Sequence, residues 1–235
     1  MTDKNHHMSI DAELKTKLND LVQDQLDTQY YFPSTTYSIL KTEFLDNVAA
    51  VADEHLSHIK KEFPQPDEIY PVYQTGPLFN DARMNEFLKY IGSTAWNILE
   101  SQGFYMTEFN TVFHELWCQE HYKYSGHEEH THGHGAQLIG FYFLETPENC
   151  SNIVLHDPRP AKKQINLPEQ NVDNVTLGSN MVHFKPFPGL LFFTNAWLPH
   201  SFSRNASEKP MRFIHFTIGV QQILPNIQAD PPEVI

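Results

Sequence analysis

From Met106 onward the chain is a succession of short apolar runs cut by Pro, Gly and Asn, and no other feature narrows the fold as much. The runs are FNTVFHELWCQEHYKY, AQLIGFYFLE, SNIVLHD, KQINL, VTLGSNMVHFKP, GLLFFTNAW, HSFSR and MRFIHFTIGV. Aromatic and β-branched side chains dominate them. Such residues suit a pleated, half-buried surface. Short strands with turn signals between them predict two facing antiparallel sheets, an all-β sandwich or barrel. The 17 Phe and 10 Tyr supply enough large side chains to fill its interior.

The first 105 residues read differently, as mainly helical. Residues 11–27 space Leu14, Leu18, Leu21 and Leu26 along one amphipathic stripe. Residues 40–62 continue with Leu40, Phe44, Leu45, Val48 and Val51, and Phe63-Pro64-Gln65-Pro66 stops the helix. Residues 80–103 place Met84, Phe87, Ile91, Ala95, Ile98 and Leu99 on an apolar face, with Gly103 as the cap. No internal repeat or low-complexity linker divides the chain. The expectation is one α+β domain over 1–235: helices over 1–105, a β core over 106–220 and a tail over 221–235.

Charge and cysteine content restrict partners and compartment. A net charge of -13 repels a phosphate backbone and argues against nucleic acid held mainly by charge. Two cysteines, Cys118 and Cys150, behind a start without an apolar signal core fit a reducing cytoplasm. No run of about 18 apolar residues suggests a membrane span.

The densest chemistry is His127-Glu128-Glu129-His130-Thr131-His132-Gly133-His134, just ahead of the AQLIGFYFLE strand. In an extended segment residues two apart share a face. His130, His132 and His134 then share one face, and His127 and Glu129 the other. Two imidazoles at this spacing can converge on one metal, although a solvated His-rich loop has the same composition. Two later features bear on the choice. One is the buried run from Gly189 that ends at His200 beyond a Pro. Alone, His200 reads as a core or loop histidine. The other is Arg212, an arginine opening an otherwise apolar strand, which must be paired or must point into a cavity. An inter-strand ion pair and a fork for a dicarboxylate both satisfy that condition.

Taken in order, His-x-His, a distal His about 70 residues on and an Arg twelve residues later resemble the Fe(II)/2-oxoglutarate-dependent oxygenase superfamily. The pattern is most similar to a branch of bacterial and marine-phage proteins with a His-x-His motif. The matching elements are His130-Thr-His132, Gly140-Phe-Tyr142-Phe-Leu144, Asp157-Pro158-Arg159 and Gly189 through His200, within residues 106–220. The resemblance implies a double-stranded β-helix, a jelly-roll and cupin-like core. It implies Fe(II) held by His130, His132 and His200, with 2-oxoglutarate as cosubstrate reaching inward to Arg212. Ile214 stands where the wider superfamily often has Ser, so Tyr142 becomes the expected second contact to the cosubstrate. The usual facial triad includes a carboxylate, so His127 with Glu129 is the second-ranked ligand set and His132 with His134 the third. Asp157-Pro158-Arg159 reads as a structural turn, and Trp96 and Trp117 as core.

The implied activity is a dioxygenase that uses O2 to hydroxylate a C–H bond of an organic substrate, a protein side chain or a small molecule, releasing succinate and CO2. Two alternatives stand beside it: a cupin-type three-His dioxygenase without 2-oxoglutarate, and a non-enzymatic metal-binding jelly roll. An inward Arg212 separates the first reading from the cupin-type dioxygenase, and metal-dependent turnover of 2-oxoglutarate separates all three.

Overall fold

The structure, a computed structural model, describes residues 36–223. They lie in the compact unit Thr35–Ile235, and the expected helix over 11–27 falls outside them. Ten strands are present among the described residues: β1 (Tyr37–Leu40), β2 (Val72–Gln74), β3 (Phe109–His121), β4 (His127–His130), β5 (Ala136–Glu145), β6 (Ile153–His156), β7 (Met181–Phe184), β8 (Leu190–Asn195), β9 (His200–Phe202) and β10 (Met211–Gln222). They pair antiparallel into a six-stranded sheet, β1-β8-β5-β10-β3-β2, and a four-stranded sheet, β4-β9-β6-β7. The expected pair of antiparallel sheets is therefore formed.

Strand periodicity sorts the core into two compartments. On one face of the large sheet, Leu116, Cys118, Tyr142, Ile214 and Phe216 pack against helices α1 (Leu45–Glu62) and α2 (Asn85–Ser101). Val48, Val51, Ala52 and Leu56 of α1 and Phe87, Ile91 and Ala95 of α2 complete that layer. Burying each Val, Leu, Ile or Phe side chain of this layer stabilises the fold by about 1.5–3 kcal/mol. On the opposite face, Phe141 and Phe213 meet Phe202 of the small sheet at ring distances of 5.0 and 4.9 Å. The two faces alternate residue by residue, which decides below which side chains can reach the site.

Local chemistry explains the boundaries. Gly103 has φ +93° and donates its N–H to the Glu100 carbonyl, closing α2 as expected of a left-handed cap. At Gly140 a Cβ would sit on the Phe216 ring and the Phe192 carbonyl, so the strand needs glycine there. Three expectations are corrected. The helix over 40–62 begins only at Leu45, because Tyr37–Leu40 pairs with β8 as an edge strand. The helix over 80–103 is likewise shortened to 85–101 by two 3-10 turns that precede it. KQINL forms no strand: a 3-10 turn ends at Gln164, and Ile165 and Leu167 are exposed.

Candidate metal centre

The β4–β9 pairing sets His130 directly opposite His200. Two residues on, the backbone N–H of His132 donates to the Ala196 carbonyl at 2.9 Å and draws the turn after β4 over β9. One ligand atom from each of His130, His132 and His200 lies within 4.8 Å of the others. His200 is 1% exposed at the base of this group, and His130 is exposed at its mouth.

Hydrogen bonds select the tautomers of two of these rings. His200 Nδ1 lies 2.9 Å from the Leu198 carbonyl and His130 Nδ1 lies 2.8 Å from the Glu128 carbonyl. A carbonyl only accepts, so Nδ1 carries the proton in each ring and Nε2 keeps its lone pair. The Nε2 atoms of His132 and His200 are buried without any partner. Burial lowers the pKa of His200 to about 3 and that of His132 to about 4, so both imidazoles stay neutral. Neutral imidazoles with converging lone pairs are what a divalent metal requires.

The other ligand sets are not assembled. Glu129 turns to the outer face of the small sheet, 3.5 Å from His156. His127 instead contacts Tyr70 Oη and Gln119 Oε1, at 2.9 and 3.0 Å. His134 is exposed at φ +54°. Asp157 and Arg159 form the expected structural turn, with Arg159 donating its own backbone N–H and its guanidinium to the Asp157 carboxylate.

Both residues assigned to the cosubstrate lie on the wrong side of the sheet. Arg212 and Tyr142 belong to the helix-facing set of β10 and β5, because Phe213, His215 and Phe141 take the interior positions. The Arg212 guanidinium donates to Glu120, Asp53 and Glu145, and the Tyr142 hydroxyl donates to the Lys41 carbonyl. Neither reaches the histidines. The bland reading of Arg212, an ion pair, is the one realised.

What does line the interior is a polar wall that sequence reasoning passed over. A cavity of about 60 Å³ is bounded by Trp117, Gln119, His127, His130, His132, Phe141, Phe202 and His215. A second metal-capable grouping, Glu115, His132 and His215, shares His132 with the first. The signal for this wall was present in the alternate positions of EHYKY and its preceding run: Glu115, Trp117, Gln119 and His121 fall on one face of β3.

Residues 115–216 match the family described as "Putative 2OG-Fe(II) oxygenase". That match falls within the β core and is the chain's likeness to the 2OG-Fe(II) oxygenases. Members of that family use Fe(II) and 2-oxoglutarate. An oxidoreductase of the 2OG-Fe(II) oxygenase family from Burkholderia pseudomallei is 11% identical, with TM-score 0.55 over 83% of this chain and 87% of its own. A prolyl-4-hydroxylase from Pseudomonas putida is 13% identical, with TM-score 0.53 over 85% and 97%. The α-ketoglutarate-dependent carbocyclase SnoK of nogalamycin biosynthesis is 10% identical, with TM-score 0.56 over 83% of each chain. These likenesses establish the shared fold. No curated protein matches the chain. In this β core the two buried, unpartnered Nε2 atoms fit a metal, since each otherwise leaves a desolvated acceptor unsatisfied.

The same core carries an acid-sensitive histidine outside the metal group. His121 is fully buried among Tyr70, His127, Phe202 and Phe213, and Gln119 Oε1 accepts its Nε2–H at 3.2 Å. Burial first, then the charge of His127, lowers its pKa to about 3, against 6.5 for a free imidazole. The unfolded state then binds more protons between those two values. The contribution of His121 is complete above pH 6.5 and is lost as the pH falls toward 3. Between pH 7.5 and 5.5 this residue alone removes about 1.4 kcal/mol of stability. In His121→Gln that component disappears. Urea unfolding of both proteins at the two pH values measures it, and an identical pH slope would refute the assignment.

Proposed function

We propose that His130, His132 and His200 hold the Fe(II) of this 2-oxoglutarate-dependent dioxygenase, and that it hydroxylates a C–H bond of an organic substrate. The convergence of two buried, unpartnered Nε2 atoms with a third imidazole carries this reading. When bound, Fe(II) with 2-oxoglutarate and O2 supplies the oxidising power, and succinate and CO2 are released. The chain's own residues do the placing. The Leu198 and Glu128 carbonyls orient two imidazoles. Phe141 and Phe202 exclude water from the inner wall, and exposed His130 leaves the outer side open to substrate.

The family match now carries the use of 2-oxoglutarate, since Arg212 no longer distinguishes this enzyme from a cupin-type dioxygenase. A protein side chain or a small molecule is the substrate class, because the net charge of -13 disfavours nucleic acid. Among the described residues no helix is long and apolar enough to cross a membrane. Cys118 and Cys150 are free thiols, which supports a cytoplasmic site of action. We assign residues 1–235 to a single oxygenase domain. The test is Fe(II)-dependent conversion of 2-oxoglutarate to succinate by the purified protein. Turnover that persists unchanged in His132→Ala would overturn the ligand assignment.

A further inference from the structure

Two of the three converging rings are oriented by backbone carbonyls, His130 by that of Glu128 and His200 by that of Leu198. The third is not. Among the described residues the ring of His132 makes no hydrogen bond. A neutral imidazole that gives Nε2 to a metal carries its proton on Nδ1, and a ligand histidine donates that proton to an acceptor which fixes the ring. His132 needs such an acceptor.

The wall beside it consists of acceptors. The β3–β10 register sets Thr217 opposite Glu115. The Thr217 hydroxyl donates its one proton to Glu115 Oε2 at 2.9 Å, because a carboxylate only accepts. It is then left to accept from His215 Nε2–H at 3.3 Å. In the neutral ring of His215 this makes Nδ1 a lone pair, buried and without a partner. Ligand atoms of Glu115, His132 and His215 lie within 4.8 Å of one another, and the rings of His132 and His215 are 5.2 Å apart. The grouping does not amount to a second metal site beside the first. Both groupings include His132, whose one buried, unpartnered nitrogen is Nε2, and one lone pair serves one ion.

We infer that Glu115 is a positioning residue of the metal centre, its carboxylate accepting Nδ1–H of His132 when metal is bound. The inference rests on the three-His centre proposed above. Thr217 engages one carboxylate oxygen and leaves the other for His132. His215 contributes by holding Thr217 through its Nε2–H. A carboxylate bonded to a ligand imidazole fixes its tautomer and raises its basicity. Charge favours the same arrangement. Three neutral imidazoles leave both charges of a divalent ion uncompensated, whereas the usual facial triad contains a carboxylate. Glu115 supplies that negative charge one hydrogen bond further out, and no coordination position is given up.

Co(II), followed by its visible bands, is the probe. Glu115→Ala should bind it about 10- to 100-fold more weakly than wild type. Glu115→Gln keeps a carbonyl acceptor without the charge and should recover part of that loss. Glu129→Gln removes an equal charge from the outer face of the small sheet and should bind as wild type does. Proton NMR of the Co(II) proteins gives a reading that a structural role would not move. The paramagnetic ion displaces the ring N–H resonances of its ligands. That of His132 should be lost to solvent exchange in Glu115→Ala and be present in Glu115→Gln, with the other ligand resonances kept in both. Thermal unfolding of the metal-free variants controls for folding. If Glu115→Ala does not fold, Glu115→Gln decides, by an affinity below wild type with the resonance kept. Wild-type affinity and an unchanged set of resonances in Glu115→Ala overturn the inference while the metal centre stands. So does a loss well beyond about 100-fold in both Glu115 variants, which would make Glu115 itself a ligand. A wild-type protein that binds no Co(II) overturns the metal centre and this inference with it.

Discussion

His200→Ala will deprive the protein of its metal while leaving it folded. His200 is the deepest of the three converging imidazoles, and its ring is held by the Leu198 carbonyl before any metal arrives. Removing it leaves two ligands, one of them, His130, on an exposed position. Disturbing even the outer partners of a metal ligand typically costs 10- to 100-fold in affinity, so deletion of a ligand should exceed about 100-fold. Stability of the metal-free protein should move in the other direction from a usual core truncation. The Nε2 atom of His200 is a buried acceptor without a donor, and the variant no longer has to desolvate it. Co(II) titration followed by its visible bands measures the affinity, and thermal unfolding of the metal-free variant controls for folding. Co(II) binding equal to wild type would remove His200 from the ligand set. It would favour the neighbouring Glu115–His132–His215 group as the metal site.

Arg212→Ala will destabilise the fold by about 3 kcal/mol. Glu120 on β3 is 1% exposed in its side chain and stands between two cations, Lys60 of α1 at 2.6 Å and Arg212 of β10 at 2.6 Å. Arg212 also reaches Asp53 of α1 at 2.5 Å and Glu145 of β5 at 3.1 Å. These groups fasten α1 to three adjacent strands. A buried ion pair adds little net stability when intact, but losing one member leaves the other charge desolvated. Lys60 remains beside Glu120 in the variant, which keeps the loss at the lower end of that range. Glu120→Ala should cost at least as much, because it removes the buried carboxylate that Lys60 and Arg212 share. The double variant should lose less than the sum of the two, since the partners share one interaction. Urea unfolding of the three variants and wild type forms the cycle. Stability within 0.5 kcal/mol of wild type in Arg212→Ala, at about the size of an ordinary surface substitution, would show that the network contributes nothing.

That cycle also shows where reading the chain residue by residue reaches its limit. His130, His132 and His200 were named together because their order with Arg212 resembles the oxygenase superfamily, whereas local pattern alone left a solvated loop and a core histidine open. Their meeting needed only that β4 pair with β9. Arg212 was misplaced because a strand alternates with period two and the sequence of β10 is apolar on both faces. Met211, Phe213 and His215 point one way and Ile214 and Phe216 the other, and composition does not say which face meets the helices. Trp117 was read as core and His215 was not singled out for the same reason, since an aromatic residue on a buried strand reads as core from either side.

The amino-acid sequence by itself determined the β core, its antiparallel character, the two helices ahead of it and the His-x-His and distal His. These depend on local propensity, turn chemistry and spacing, which act over a few residues. Tertiary structure alone decided the handedness of each strand's faces: which residues of β3, β5 and β10 look into the cavity, that Glu129 turns outward to His156, and that Glu120 lies buried where it captures Arg212. The physical reason is that a one-residue change in register exchanges every side chain between the two faces. Only the packing of both faces at once, helices on one and the small sheet on the other, settles that choice.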